Sequence, residues 1–227
     1  MRISKLLMVS FLGVFLHVGN AFAGLLWDNG SPNGMGGSNM SDTYQAEDFT
    51  LLAASDLTSI RFWNLEAGNA DYNGSIYWQI IAGAPGNAAI ASGIANMVTR
   101  TLLGAVPLVG GSYNQYQNDF NISVGNLLAG TYWLALHNGP IGQTTFTDFY
   151  WNWTNTVGTN ASQELDLLNP SFGWNVNGND YAFQVNGELT SVPEPATLGL
   201  LALGLAGLAL HRRRRLISFP VFRPAAI

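Results

Sequence analysis

The chain has no cysteine, so neither disulfide staples nor thiolate metal sites are available to it. Its only lysine is Lys5, and between residues 24 and 190 the only bases are Arg61 and Arg100. Thirteen carboxylates share that stretch, which gives it a net charge of −11. Such a surface repels nucleic acid and anionic lipid and favours cations or neutral partners such as glycans. Histidine is nearly missing as well: within 24–190 there is His137 alone, which excludes an ordinary zinc site. No stretch before the C-terminal end shows a long helical period. About 165 residues remain for one domain whose stability comes from packing, which 12% aromatic content can supply.

What is present at the N-terminus reads as export. Arg2 and Lys5 precede an apolar run at 6–16, and Ala21 and Ala23 stand at the −3 and −1 positions of a cleavage site. The run is too short to span a bilayer, so signal peptidase should release a mature chain beginning at Gly24. Residues 1–23 are therefore expected to be a signal helix.

The C-terminal end carries a second signal. Pro193, Glu194 and Pro195 precede an uncharged stretch at 196–210 and then Arg212, Arg213, Arg214 and Arg215. The two prolines favour extended backbone, whereas the apolar stretch should be helical in lipid, where backbone groups must be satisfied internally. At 1.5 Å per residue it covers about 22 Å against a hydrocarbon core of roughly 30 Å, so it spans only with snorkelling arginines and local thinning. The arginines place the 216–227 tail in the cytoplasm and 24–192 outside.

This three-part order resembles the PEP-CTERM sorting signal found on exported proteins of Gram-negative bacteria that make exopolysaccharide. The resemblance implies recognition by exosortase, a membrane cysteine protease-like enzyme that removes the tail near the triplet. It makes Pro193, Glu194 and Pro195 the recognition element and Arg212, Arg213, Arg214 and Arg215 the retention element. It also implies a transient inner-membrane anchor, then a place at the cell surface or outside, in a biofilm setting. One departure is that residues 216–227 continue beyond the arginines.

Between the signals, residues 24–190 read as all-β. Alternation with period two recurs at 45–51, 58–65, 74–81, 89–96, 116–123, 130–137, 148–153 and 181–189, bounded by Asn-, Asp- and Gly-rich turns. In 130–137, Tyr132, Leu134 and Leu136 share one face, with Trp133, Ala135 and His137 on the other. Strands at this spacing predict a two-sheet antiparallel sandwich, jelly-roll-like. Leu26-Trp27-Asp28-Asn29-Gly30, Glu47-Asp48-Phe49-Thr50-Leu51, Pro85-Gly86 before Ala91-Ser92-Gly93, Gly130-Thr131-Tyr132-Trp133-Leu134, Phe149-Tyr150-Trp151 and Ala182-Phe183-Gln184-Val185 follow in order. That series resembles a β-sandwich module often joined to PEP-CTERM tails, and it implies fold and export without an activity.

For chemistry the chain offers little. His137 at a strand end has no nucleophile elbow to serve and reads as a satisfied surface residue. Glu47 and Asp48 are adjacent on a strand and point to opposite faces, so they make no simple acid pair. No catalytic residue is assigned, and no cofactor is expected. A structural calcium is the one metal the loops could hold, through Asp28, Asn29, Asp71, Asn73, Asn177, Asn179 and Asp180, although none follows EF-hand spacing. Seven tryptophans suit either a sandwich core or sugar stacking. The candidate glycan platform is Phe149, Trp151 and Trp153, with Asn152 and Thr154 opposite. The expectation is thus a non-enzymatic surface or matrix protein touching polysaccharide, the alternative being a glycan hydrolase with two carboxylates.

Overall fold

The computed structural model describes residues 24–68, 71–145, 147–155 and 161–190, together with 203–205 and 208. Within the first unit, thirteen strands form two antiparallel sheets packed face to face. The seven-stranded sheet is organised about β4 (Ser55–Glu66). On one side β4 pairs with β8 (Gly111–Leu127), which in turn pairs with β7 (Thr99–Leu108). Its other side is shared: β13 (Phe183–Leu189) takes residues 55–62 and β10 (Phe149–Thr154) takes 64–66. β1 (Gly24–Asp28) lies beyond β13, and β2 (Pro32–Asn39) lies beyond β10. The six-stranded sheet runs β12 (Trp174–Val176), β11 (Gln163–Asp166), β3 (Thr43–Leu51), β9 (Gly130–Asn138), β5 (Ile76–Ala82), β6 (Ala89–Ala95).

Alternation explains the core. Phe49 and Leu51 of β3, Leu134 and Leu136 of β9 and Ile80 of β5 meet Ile60 and Phe62 of β4 and Phe183 and Val185 of β13. Burying each such side chain contributes about 1.5–3 kcal/mol, which is how a domain without disulfides offsets its chain entropy. The other face of the six-stranded sheet is covered too. Tyr44, Ala46, Ile81, Trp133 and Ala135 form a second cluster beneath Leu165, Leu167 and Trp174. The Trp133 indole N–H donates to the Gly83 carbonyl at 2.9 Å, which ties the 83–88 loop over that face. The two faces of β9 divide between these clusters as its alternation requires.

Every strand expected from the pattern is present, and five more appear: β1, β2, β7, β11 and β12. β2 reads Pro-Asn-Gly-Met-Gly-Gly-Ser-Asn and has no apolar alternation to betray it. It forms because β10 offers an open edge. The signal helix at 1–23 lies outside the described residues. Most of the expected membrane helix does so as well; Leu203, Gly204, Leu205 and Leu208 are helical and exposed. Among the described residues, no helix is long and apolar enough to cross a membrane.

Candidate functional site

The expected platform does not exist as a surface. Phe149 and Trp151 are fully buried, because they lie in register with Glu66 and Asn64 on the inward face of β4. The Trp151 ring stacks on Tyr181 with centroids 4.7 Å apart and planes 22° from parallel, and its N–H donates to the Ala182 carbonyl at 3.0 Å. Trp153 is half-buried, and its N–H donates to the Ser38 hydroxyl at 3.1 Å. Between the pairs Asn152–Gly37 and Thr154–Pro32, β2 arches through residues 33–36 opposite Trp153 alone. A Cβ at Gly36 would sit 2.6 Å from the indole, so the arch closes on Trp153 only with glycine there. Of the seven tryptophans, Trp63, Trp78, Trp133 and Trp151 are buried and Trp27, Trp153 and Trp174 half-buried.

An aromatic groove opens beside this strand instead. Tyr150 points away from Trp151 and, with Leu65, lines a cleft of about 240 Å³ between the β2 arch and the β7–β8 hairpin tip. The arch supplies Met35, Gly36 and Gly37, the hairpin supplies Leu108, Val109 and Tyr113, and Trp153 closes one end. Tyr113 and Tyr150 meet edge to face at 6.0 Å. The Tyr150 hydroxyl donates to Asp148 at 2.7 Å, which fixes the ring, and burial with that carboxylate raises its pKa. The cleft is smaller than the roughly 300–1,000 Å³ of a drug-sized pocket, so it suits one ring of a longer molecule. Sequence alternation placed Tyr150 on the face opposite Phe149, Trp151 and Trp153 without saying which face meets solvent. Tyr113 and the arch were unreadable, since they arrive from other strands.

The carboxyl groups with raised pKa are inside. Glu47 is fully buried between the sheets, where it accepts the Tyr181 N–H at 2.9 Å and the Asp48 N–H at 3.2 Å. Glu66 is buried at the far end of β4, paired with Arg100, whose guanidinium lies over the Tyr72 and Tyr116 rings at 4.4 and 4.3 Å. Burial pushes Glu47 up to about 9 from an ordinary 4.5. The unfolded chain therefore loses this proton near pH 4.5 while the folded one keeps it. The contribution of Glu47 to stability is fully present below about pH 4.5 and is lost as pH rises towards about 9, by at most about 1.4 kcal/mol per unit. Glu47→Gln has nothing to ionise, although its amide can accept only one of the two backbone N–H bonds that Glu47 takes through its two oxygens. Thermal melts should therefore find its stability less steeply dependent on pH, with the native chain losing stability relative to it between about pH 4.5 and 8. A parallel pH dependence for the two would contradict the assignment.

His137 corrects its expectation, for it is fully buried and not at the surface. β9 is a central strand, so even its last residues are covered. The ring N–H at Nδ1 donates to the Gly139 carbonyl at 3.0 Å, and burial lowers its pKa. Of the side chains considered for calcium, Asp28 and Asp71 turn their oxygens to local donors. Asp28 accepts from the Gly30 N–H at 2.9 Å and from Gln184 at 3.0 Å, and Asp71 accepts from the Gly68 N–H at 2.7 Å. Asn29, Asn73 and Asn179 are held instead by their amide N–H groups, which donate to the Tyr181 carbonyl, the Asn138 carbonyl and the Asn177 Oδ1, the last in a loop shared with Asp180. Among the described residues, no group of three or more acids or histidines is placed to hold a metal ion.

Ala21 and Ala23, the Pro193-Glu194-Pro195 triplet and Arg212, Arg213, Arg214 and Arg215 lie outside the described residues. Taken with the fold, the chain is an acidic β-sandwich of two sheets followed by a separate C-terminal segment. That segment, residues 191–215, matches the PEP-CTERM protein-sorting motif. The motif marks an exported protein, processed by exosortase and sorted to the cell surface. It begins only after the last strand and so is silent about the sandwich. No curated protein and no solved structure matches the chain.

Proposed function

We propose that this is a non-enzymatic surface protein which holds extracellular polysaccharide through the Tyr113–Tyr150 groove once its tail has been removed. The groove is the observation that carries the reading. It combines aromatic edges, a Tyr150 ring fixed by its bond to Asp148 and an uncharged rim at the β7–β8 turn. Rings of this kind stack on sugar faces while nearby polar groups bond hydroxyls. The acidic surface of the domain favours a neutral or weakly charged glycan over an anionic one. Burial of Glu47 and Glu66 supports binding over hydrolysis, because a glycosidic acid must reach the leaving oxygen. The same reading includes the short single-span anchor, the biofilm setting and the jelly-roll winding of the strands.

The test uses the exported form recovered from the cell surface, screened against a glycan array and then titrated with the glycan retained. A Tyr113→Ala, Tyr150→Ala double variant should bind about tenfold more weakly, since each aromatic contact is worth about 0.5–1.5 kcal/mol. Unchanged binding moves the site elsewhere, and failure to retain any glycan removes the proposal.

A further inference from the structure

The two ends of the sandwich are finished differently. β3 ends at Leu51 opposite Gly130, where β9 begins, and β4 begins at Ser55 opposite both Leu127 of β8 and Leu189 of β13. Two crossovers between the sheets, 52–54 and 128–129, sit at this end, and β1 starts here too, with Gly24 opposite Gly187. Both crossovers are entered through the same tripeptide, Leu51-Leu52-Ala53 and Leu127-Leu128-Ala129. At the opposite end β9 closes with Asn138, and Ser41, Asn73, Asn138 and Thr147 are joined there by hydrogen bonds. One end is covered by polar side chains and the other is apolar.

The apolar end is also open. Leu25, Leu26, Leu51, Leu52, Ala53 and Leu189 line a slot of about 410 Å³ that reaches Leu51 of the main core. Leu52 is 90% exposed and Leu128 70%, and Leu25 and Leu189 are each more than half exposed. Leucines gathered at one place on a surface mark contact with something apolar. The chain itself says what that is. Thr190 is held at this end, its N–H donating to the Ala54 carbonyl at 2.9 Å. Five residues, 191–195, then separate it from the uncharged stretch at 196–210. Five extended residues reach about 18 Å at most, so while 196–210 lies in lipid this end of the domain stays within that distance of the bilayer. Asp56 and Glu188 lie in register one residue inside the same end, so neutral lipid fits it and anionic lipid does not.

We propose that Leu25, Leu52, Leu128 and Leu189 dock on the neutral lipid surface of the membrane while the tail is in place, closing the slot against headgroups and upper acyl chains. The proposal rests on reading 196–210 as a short anchor and adds an orientation to it. Leu65, which lines the tyrosine groove, is at the far end of β4 from Ser55, so the docked domain carries that groove away from the membrane. Interfacial binding scales with the apolar area inserted, and four leucines hold lipid weakly unless a tether supplies the local concentration. Removal of the tail therefore frees the domain.

The test uses the full chain reconstituted in phosphatidylcholine vesicles. With no native cysteine, Leu52→Cys and Leu168→Cys each take one bimane label. Leu168 is exposed just beyond β11, whose Asp166 pairs with Thr43 at the polar end of β3. A spin label in the lipid headgroup region should quench bimane at Leu52 at least twofold and leave it unchanged at Leu168. The tether alone brings Leu52 near lipid, so Leu128→Asp is added to the Leu52→Cys chain. It should restore at least half of the lost fluorescence, because a charge in the contact opposes docking and does not alter the tether. Quenching at Leu52 no greater than at Leu168 overturns the proposal. Quenching indifferent to Leu128→Asp, or strengthened by phosphatidylglycerol, does so too. A full chain that fails to float with the vesicles removes the anchor together with the docking, whereas a chain that floats with its Leu52 label unquenched removes the docking alone.

Discussion

Replacing Trp151 with alanine should cost about 3–5 kcal/mol, the range for truncating a large buried aromatic side chain. The residue is fully buried, stacks on Tyr181 and touches Phe62 and Phe183 edge to face. Removing its N–H also leaves the Ala182 carbonyl with only the longer bond from the Trp63 N–H at 3.4 Å, which adds to the cavity term. Domains of this size are stable by about 5–15 kcal/mol, and this one has no disulfide to hold a loosened core. Chemical denaturation should therefore show a midpoint shift large enough to leave part of the variant unfolded at 37 °C. Truncating Trp153 should cost much less, because it is half-buried at the sheet edge. Similar losses for the two would mean that Trp151 is not the centre of the core.

The second large effect concerns the tail. Deleting Arg212, Arg213, Arg214 and Arg215, or making Glu194→Ala, should abolish the processed form. Each arginine near an anionic leaflet is worth about 1 kcal/mol, so losing four lowers retention by about 4 kcal/mol, roughly a thousandfold. A segment already shorter than the bilayer has no reserve against that loss. The glutamate acts differently, since it lies in the matched motif and is expected to be read by the processing enzyme. Mass spectrometry of surface material should find the native chain ending near the triplet and the variants extending to Ile227. A native surface species that still ends at Ile227 would refute removal of the tail.

Local regularities in the chain were legible because one strand at a time produces them. β9 and β5 show as strands, and their residues sort into two faces, from the sequence alone. The same rule separated Glu47 from Asp48 and turned Tyr150 away from Trp151. It failed at β2, whose glycines hold no hydrophobic record and whose arch depends on Trp153 across the pair. It also failed for Phe149, Trp151 and Trp153 as a platform. A row of rings on one face looks the same whether that face meets water or another sheet. His137 was misjudged for a like reason, since a strand end is exposed at a sheet's rim and covered at its centre.

By itself the sequence determined export, the sorting segment at 191–215, the acidic balance of the domain and its all-β character. These depend on composition, order and short-range periodicity, all of which survive in a linear string. Only the tertiary structure decided which face of β10 is core, that Tyr113 meets Tyr150 and that Glu47 is sealed between sheets. The longest of these contacts joins residues 134 positions apart, through sheet pairing whose partners no single segment specifies.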